Sequence, residues 1–456
     1  MDEPNGRIAG ARPRRRSSRP GRKPQQTGED PRSRMLAAML NCVGEQGYLP
    51  TVVADVIAKA VASRKTFYEH FEDRQACFLA LSDEIGSEWV QRVTAACEYA
   101  TGEDAPSTVD ALIRELFALG CERPAALRIV AVEMTAAGPA GITRRERLLA
   151  DLAEPLRSEL GEEPSSEILA RSIVGAALRM LYARARRGAG VRRPRRGVAQ
   201  ELADGVSNWA LRYTDREGLP EVAGPGEDAQ TLEAPVGGRA PGTLSLSSRA
   251  IERRGLPRGE GNVSRSFVIH SQRERILDAL ANLAAAEGYG AATIPEIVRE
   301  AAVSVQAFYE HFSGKEDAFL VAYEIGHRKA LAIVERAYET QELWPEAIGS
   351  AIATLLEFLA SEPAYAHLAL IDALTASPKA ASIAHDGLIA YAAMLEPGIT
   401  GAEDEPWAVI APEATASVLL ELCFVYVSDE RARELPRLRD LACEIALRPF
   451  TSLSVR

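Results

Sequence analysis

The sequence predicts an all-α protein built from two copies of one unit. Apolar residues recur at helical spacing almost throughout, and no sustained β-branched alternation interrupts them. Of the 456 residues, 46% are hydrophobic and 26% charged, the balance of an ordinary globular chain. The third observation is a repeat. Phe67-Tyr68-Glu69-His70-Phe71 returns as Phe308-Tyr309-Glu310-His311-Phe312, 241 residues later. Asn41, Gly47, Tyr48, Ala60, Ser63, Phe78 and Leu79 recur at the same offset as Asn282, Gly288, Tyr289, Ala301, Ser304, Phe319 and Leu320. Twelve identities in one gapless register mark a duplicated module, far too long for a solenoid repeat. Each half is long enough to bury its own core.

Residues 1–31 read as a disordered basic arm. Arg7, Arg12, Arg14, Arg15, Arg16, Arg19, Arg22 and Lys23 stand against only Asp2 and Glu3. Such a run is either a solvated tail or an arm for phosphates and a minor groove. A three-helix unit then occupies 32–80. Met35, Leu36, Met39, Leu40 and Val43 line one face of its first helix, and Gly47 stops it. Tyr48 packs into the small core, and Thr51 caps a second helix over Val52–Lys59. After a tight turn, a third helix begins near Ser63 and ends near His70. A helical domain follows over 81–214, with helices expected at Thr108–Cys121, Arg144–Leu160, Ser166–Arg187 and Val198–Tyr213.

Residues 215–265 have the Pro, Gly, Ser and charge content of a flexible linker. Its end turns basic, through Arg249, Arg253, Arg254, Arg258 and Arg265, so arginines precede both copies. The second three-helix unit spans 266–321. Ile276, Leu277, Leu280 and Ala284 face its core, and Gly288 and Tyr289 follow. Thr293 with Glu296 fits a capping box before a helix over Ile294–Glu300, as does Ser313 with Glu316 further on. A second helical domain fills 322–456, with helices expected at Pro345–Ser361, His367–Ala376, Ala380–Leu395 and Ala414–Val427.

Three short helices, the last two joined by a tight turn, make a helix-turn-helix. The pattern resembles the N-terminal DNA-binding domain of the TetR family of bacterial transcription regulators, twice over. Gly47-Tyr48, Ser63 to Phe71 and Arg74 carry the resemblance first, and Gly288-Tyr289, Ser304 to Phe312 and Lys315 carry it again. One departure is clear: Val61 and Ala302 stand where the family usually has glycine in the turn.

A third helix in the major groove reads bases from its exposed N-terminal residues. The first copy offers Ser63, Arg64, Lys65 and Thr66; the second offers Ser304, Val305, Gln306 and Ala307. Arg64 and Lys65 suit guanine, Gln306 suits adenine, and Thr66, Val305 and Ala307 suit a thymine methyl. The resemblance implies phosphate contacts from Tyr68, His70, Tyr309 and His311. Arg74 and Lys315 open a fourth helix, where a cation opposes the helix dipole and a phosphate partner would explain it. Thr51 and Thr293 belong to the same DNA-facing set. The unlike reading residues imply an asymmetric double-stranded DNA operator, bound by an intramolecular pseudo-dimer or by a homodimer. The resemblance further implies a ligand pocket and a dimer surface in the C-terminal helices, and hence repression relieved by a small molecule of unknown identity. Trp89, Trp344 and Trp407 are either pocket lining or core.

Other classes find little support. No Gly-rich phosphate loop, GxSxG, HExxH or CxxC pair occurs, and the six histidines lack zinc-like spacing, so neither an enzyme nor a metal or other cofactor is expected. The net charge of −11 argues against a protein that coats nucleic acid. The arginines from Arg184 to Arg196 read as a solvated helix end and loop. Six cysteines in apolar stretches read as reduced thiols of a cytoplasmic protein. The run Ala416 to Val427 contains Glu421 and is too short to span a bilayer, so no membrane is expected. An architectural DNA binder without a sensor, or a chain with one silent head, remains as an alternative.

Overall fold

Helices follow the apolar periodicity in the computed structural model, which describes residues 30–100, 107–161, 163–187, 190–214, 220 and 265–453. The arm expected at 1–31 and the linker expected at 215–265 lie almost wholly outside the described residues.

The first unit opens with α1 (Pro31–Gln46), α2 (Val53–Ala60), α3 (Arg64–His70) and the long α4 (Arg74–Glu98). Pro31 suits the first turn of α1, where its missing N–H costs nothing. Gly47 ends the helix at φ 92°, a conformation that disfavours any Cβ. Ser63 caps α3 by accepting the Thr66 N–H at 3.0 Å, and Asp73 caps α4 by accepting that of Ala76 at 2.7 Å. Then come α5 (Thr108–Glu122), α6 (Pro124–Arg128), α7 (Pro139–Leu160), α8 (Pro164–Ala185) and α9 (Arg196–Leu211). A π turn, Ile129–Glu133, continues α6, and a short antiparallel ladder pairs β1 (Arg186–Arg187) with β2 (Gly190–Val191).

The second unit repeats the series as α10 (Arg265–Glu287), α11 (Ile294–Glu300), α12 (Val305–His311) and α13 (Lys315–Glu339). It continues through α14 (Trp344–Ser361), α15 (Pro363–His367), a π turn at Leu368–Asp372, α16 (Ala373–Ala376), α17 (Pro378–Ala393), α18 (Ala411–Ser428) and α19 (Arg439–Leu447). The expected helices recur with shifted ends. α7 starts at Pro139, not Arg144, because a proline again occupies the first turn. Arg186 and Arg187 leave α8 for the ladder. The helix expected at His367–Ala376 starts at Pro363 and contains the π turn.

Val61 and Ala302 take the left-handed conformation at φ 50° and 51°. The turn keeps the geometry that glycine would serve, at roughly 1–2 kcal/mol of strain per residue. Each turn is closed by two backbone bonds: Val61 N–H to Ala58 and Ala62 N–H to Ile57, then Ala302 N–H to Arg299 and Val303 N–H to Val298.

Phe67, Phe78, Phe308 and Phe319 are fully buried, and Phe71 and Phe312 nearly so, as expected of core residues. Tyr48 lies 4.4 Å from Phe78, ring to ring, and Tyr289 lies 4.8 Å from Phe319. The expectation that Tyr48 packs into the core therefore holds in both copies.

The two units meet through their C-terminal helices. α8 and α9 of the first pack against α18 of the second. Trp209 donates to the Thr415 hydroxyl at 3.1 Å, and the Tyr213 hydroxyl donates to the Ile445 carbonyl at 2.8 Å. Glu421, on α18, accepts from Arg145 at 2.8 Å and from Arg179 at 2.9 Å. By length and composition α18 is apolar enough to cross a membrane, yet 78% of it is buried in the protein, so it serves as a core helix between units. The arginine cluster is not simply solvated: Arg184 pairs with Glu413, and Arg186 donates to the Pro378 carbonyl at 3.1 Å, both across the units. The N-terminal heads also touch. A Cβ on Gly290 would stand 2.6 Å from Leu49, its counterpart in the repeat.

Candidate nucleic-acid interface and regulatory cavity

Each third helix is only two turns long, so one buried phenylalanine and one serine cap fix its pose. Phe67 and Phe308 anchor the inner face with no exposed surface. Ser63 and Ser304 accept the N–H groups of Thr66 and Ala307, each at 3.0 Å. The serine shared by both copies is thus a helix cap. Arg64 and Lys65 are exposed, with Lys65 3.8 Å from Glu69, and Thr66 is half-buried with its hydroxyl 2.8 Å from that of Ser63. In the second copy Val305 and Gln306 are exposed, and Gln306 donates to Glu310 at 3.1 Å.

Ala307 is buried at 7% exposure, in the packing of α12, unlike the exposed Val305 and Gln306 beside it. Thr51 is removed from the DNA-facing set. It has no exposed surface, and its hydroxyl donates to the Gly47 carbonyl at 2.6 Å. Nor does it cap α2. The cap position is Val52, whose N–H is taken by Asp55 at 3.0 Å. The repeat register aligns Val52, not Thr51, with Thr293. Thr293 does cap α11, with its N–H 3.0 Å from Glu296, and it stays exposed. Ser313 bonds Asp317 at 2.8 Å in place of the expected Glu316, because α13 starts at Lys315 with Gly314 as cap.

Tyr68 and Tyr309 stand out from the surface at 54% and 56% exposure, available to a phosphate. His70 is exposed, whereas His311 is half-buried with its Nε2 unpartnered. Burial, with help from Arg273, pushes its pKa below the ordinary histidine value.

Arg74 and Lys315 have a partner within the protein. Arg74 donates to the carbonyls of Tyr48, Leu49 and Thr51 at 3.3, 3.2 and 2.7 Å and lies 4.2 Å over the Tyr48 ring. Lys315 donates to those of Tyr289 and Ala292 at 2.8 Å and lies 4.2 Å over the Tyr289 ring. A cation at these helix starts therefore needs no phosphate to explain it. It pins the loop between the first two helices to the start of the fourth.

A second pair of cations occupies matching positions of the repeat. Arg32 and Arg273 share its register, and their guanidinium groups lie 5.7 and 5.9 Å over Phe71 and Phe312. They place a cation beside each third helix.

Each N-terminal head is also latched to the C-terminal helices of its own unit through the π turn. In the first unit Glu133 accepts the Tyr48 N–H at 2.8 Å and pairs with Arg128 at 2.7 Å. In the second, Asp372 accepts the Tyr289 N–H at 3.2 Å and lies 3.1 Å from His367.

Directly behind the second latch is an apolar cavity of about 140 Å³, lined from α13, α14, α17 and α18 and by Tyr365, Ala369 and Leu370. None of Trp89, Trp344 or Trp407 lines it. Trp89 is buried in the first unit, Trp344 donates to the Met394 carbonyl at 3.1 Å, and Arg212 lies 4.2 Å over Trp407 at the inter-unit seam. Cys77 and Cys423 are buried thiols pushed up to about 12 by desolvation.

Residues 35–81 and 276–322 both match the bacterial regulatory proteins of the tetR family. No curated protein matches the chain. The two matched stretches hold the same serine cap on the third helix, the same buried phenylalanines and the same exposed third-helix N-termini. The chain is a tandem member of the tetR family of DNA-binding bacterial transcription regulators, with two of the family's N-terminal domains on one polypeptide.

Proposed function

We propose that the chain is a ligand-responsive repressor acting as a covalent pseudo-dimer on an operator with two unlike half-sites, in the bacterial cytoplasm at the nucleoid. The observation that carries this is the contrast between the third helices. Arg64 and Lys65 are free to reach guanine, whereas Val305 and Gln306 favour an A·T-rich half-site. Contact of the units through α8, α9 and α18 supports the single-chain arrangement, since it occupies the helices that a homodimer would need.

Effector action has a short route. Tyr365 and Leu370 line the cavity, and Asp372, on the same turn, holds the Tyr289 N–H. A ligand that fits the cavity best when this turn is displaced would move the second head relative to the first. It must bind the non-DNA conformation more tightly, or it shifts nothing. π turns inside helices often mark such functional positions.

Selection of bound sites from random DNA tests the reading. The expected result is a site with one G·C-reading and one A·T-leaning half. Recovery of perfect palindromes would sink the single-chain pseudo-dimer, and recovery of one half-site alone would show the second head silent. That second outcome is the competing reading, and the buried Ala307 and absence of a cation on α12 are what favour it.

A further inference from the structure

The cavity in the second unit contains polar groups without partners. Tyr323 and Tyr365 are 5% and 3% exposed and line it, together with His327 and Tyr391. The Tyr323 and His327 rings stack at 5.9 Å, and Tyr391 meets His327 edge-on at 5.7 Å. No hydrogen bond from another described residue reaches the three phenols or the imidazole. Tyr323 and Tyr365 are buried and His327 and Tyr391 half-buried, and a polar cluster that faces a void without protein partners calls for one. The arrangement is also built deliberately into the backbone. A Cβ on Gly326 would lie 2.1 Å from the Tyr365 ring, and one on Gly387 would lie 2.8 Å from that of His327.

The first unit cannot hold the same group. In the repeat register Ala330, which lines the cavity, corresponds to Trp89, which is fully buried. His327 corresponds to Gly86, against which Leu148 closes: a Cβ there would stand 3.2 Å from it. Tyr323 corresponds to Ser82, whose hydroxyl already donates to the Phe78 carbonyl at 2.9 Å. An indole and a leucine therefore occupy the space that the second unit leaves open.

We propose that the effector site lies in the second unit alone and takes a small, neutral, single-ring molecule bearing one hydrogen-bonding group. Size sets the first limit: about 140 Å³ is close to the ~150 Å³ that admits benzene. Charge sets the second, because no Lys, Arg, Asp or Glu lines the cavity and an unpaired ion there would be costly. The lining itself is neutral. Burial lowers the pKa of His327 and raises those of Tyr323, Tyr365 and Tyr391. The polar cluster sets the third, since a ligand without a donor or acceptor would leave it unsatisfied. Regulation by such a molecule presupposes the ligand-relieved DNA binding proposed for the chain.

Calorimetric titration of the full chain with p-cresol, toluene, benzoate and benzylamine tests this. The expected result is one p-cresol per chain, at least tenfold weaker binding of toluene, and no detectable binding of either ion. Ala330→Trp, which installs the first unit's indole, should abolish binding while leaving operator affinity intact. Tyr365→Phe and Tyr391→Phe, which keep the cavity's shape, should weaken p-cresol about tenfold and leave toluene unchanged. Two sites per chain, tight binding of an ion, no binding of any probe, or full binding to Ala330→Trp would each overturn the proposal. Operator occupancy measured with and without p-cresol separates the two readings: binding in the cavity without release of DNA sinks ligand-relieved repression and leaves the ligand assignment standing.

Discussion

Arg74 and Lys315 show how one position does the same work with two side chains. Each lies 4.2 Å from a tyrosine ring and donates to the carbonyls of the preceding loop. Arg74→Ala leaves up to three carbonyls without this donor and should cost roughly 1–3 kcal/mol in thermal unfolding. Arg74→Lys should recover most of it, because the second copy already uses lysine, and a lysine variant as unstable as the alanine one would refute the pinning role. Arg64→Ala should behave differently. It should leave stability unchanged and relax preference at one base of one half-site by about 1–3 kcal/mol, read from competition between operator variants. Equal weakening on every sequence would show Arg64 to be a phosphate contact. The third-helix serines, phenylalanines and exposed cations were legible in the sequence because their roles follow from position in a helix. The burial of Thr51 and Ala307 and the carbonyl partners of Arg74 were not legible for a common reason: which way a side chain faces depends on packing from elements distant in sequence.

At the scale of elements, α8 and α18 are joined by a buried charge cluster. Burial would raise the Glu421 carboxyl, but Arg145 and Arg179 outweigh it and hold it near about 2. A carboxylate depressed in the folded state stabilises that state above its free value of 4.5 and loses the contribution as pH falls towards 2. The inter-unit contact should therefore persist at pH 5 and weaken progressively below pH 4, followed by limited proteolysis of the inter-unit seam. Glu421→Ala takes from Arg179 its carboxylate partner and leaves Arg145 with Glu146 alone, and it should cost about 3–5 kcal/mol in denaturant unfolding. A loss below 1 kcal/mol would show the cluster solvated. Helices such as α5, α11 and α14 were legible almost to the residue, since apolar period and caps agree. Pairing through the C-terminal helices was expected only by resemblance, and the choice of α8 and α18 was not legible, because charged partners such as Arg145 and Glu421 carry no local signature of each other. The π turns were not legible at all. They break the helical period for one turn, and their purpose lies in the latch to Tyr48 and Tyr289.

At the scale of the whole molecule, duplication in one chain has let the two units diverge. A homodimer must use one sequence for both of its heads and both of its pockets. Here Trp89 closes in one unit the space that Ala330 leaves open in the other, and α3 carries cations where α12 carries none. The repeat was plain in the sequence, and so was the difference between its reading residues. The cavity was not, because its polar cluster draws Tyr323, His327, Tyr365 and Tyr391 from three separate helices. Where Leu49 meets Gly290 a single leucine side chain is the spacer: it rests directly on the backbone of the other head, with no room for a Cβ opposite it. On the pseudo-dimer proposed for the chain, this contact would help set the distance and angular phase of the two half-sites along the duplex. Gly290→Leu should act as a wedge, lengthening the preferred separation by about one base pair, roughly 3.4 Å, while leaving the sequence of each half-site alone. Site selection with this variant measures it, and an unchanged spacing would mean that the heads part before they reach DNA.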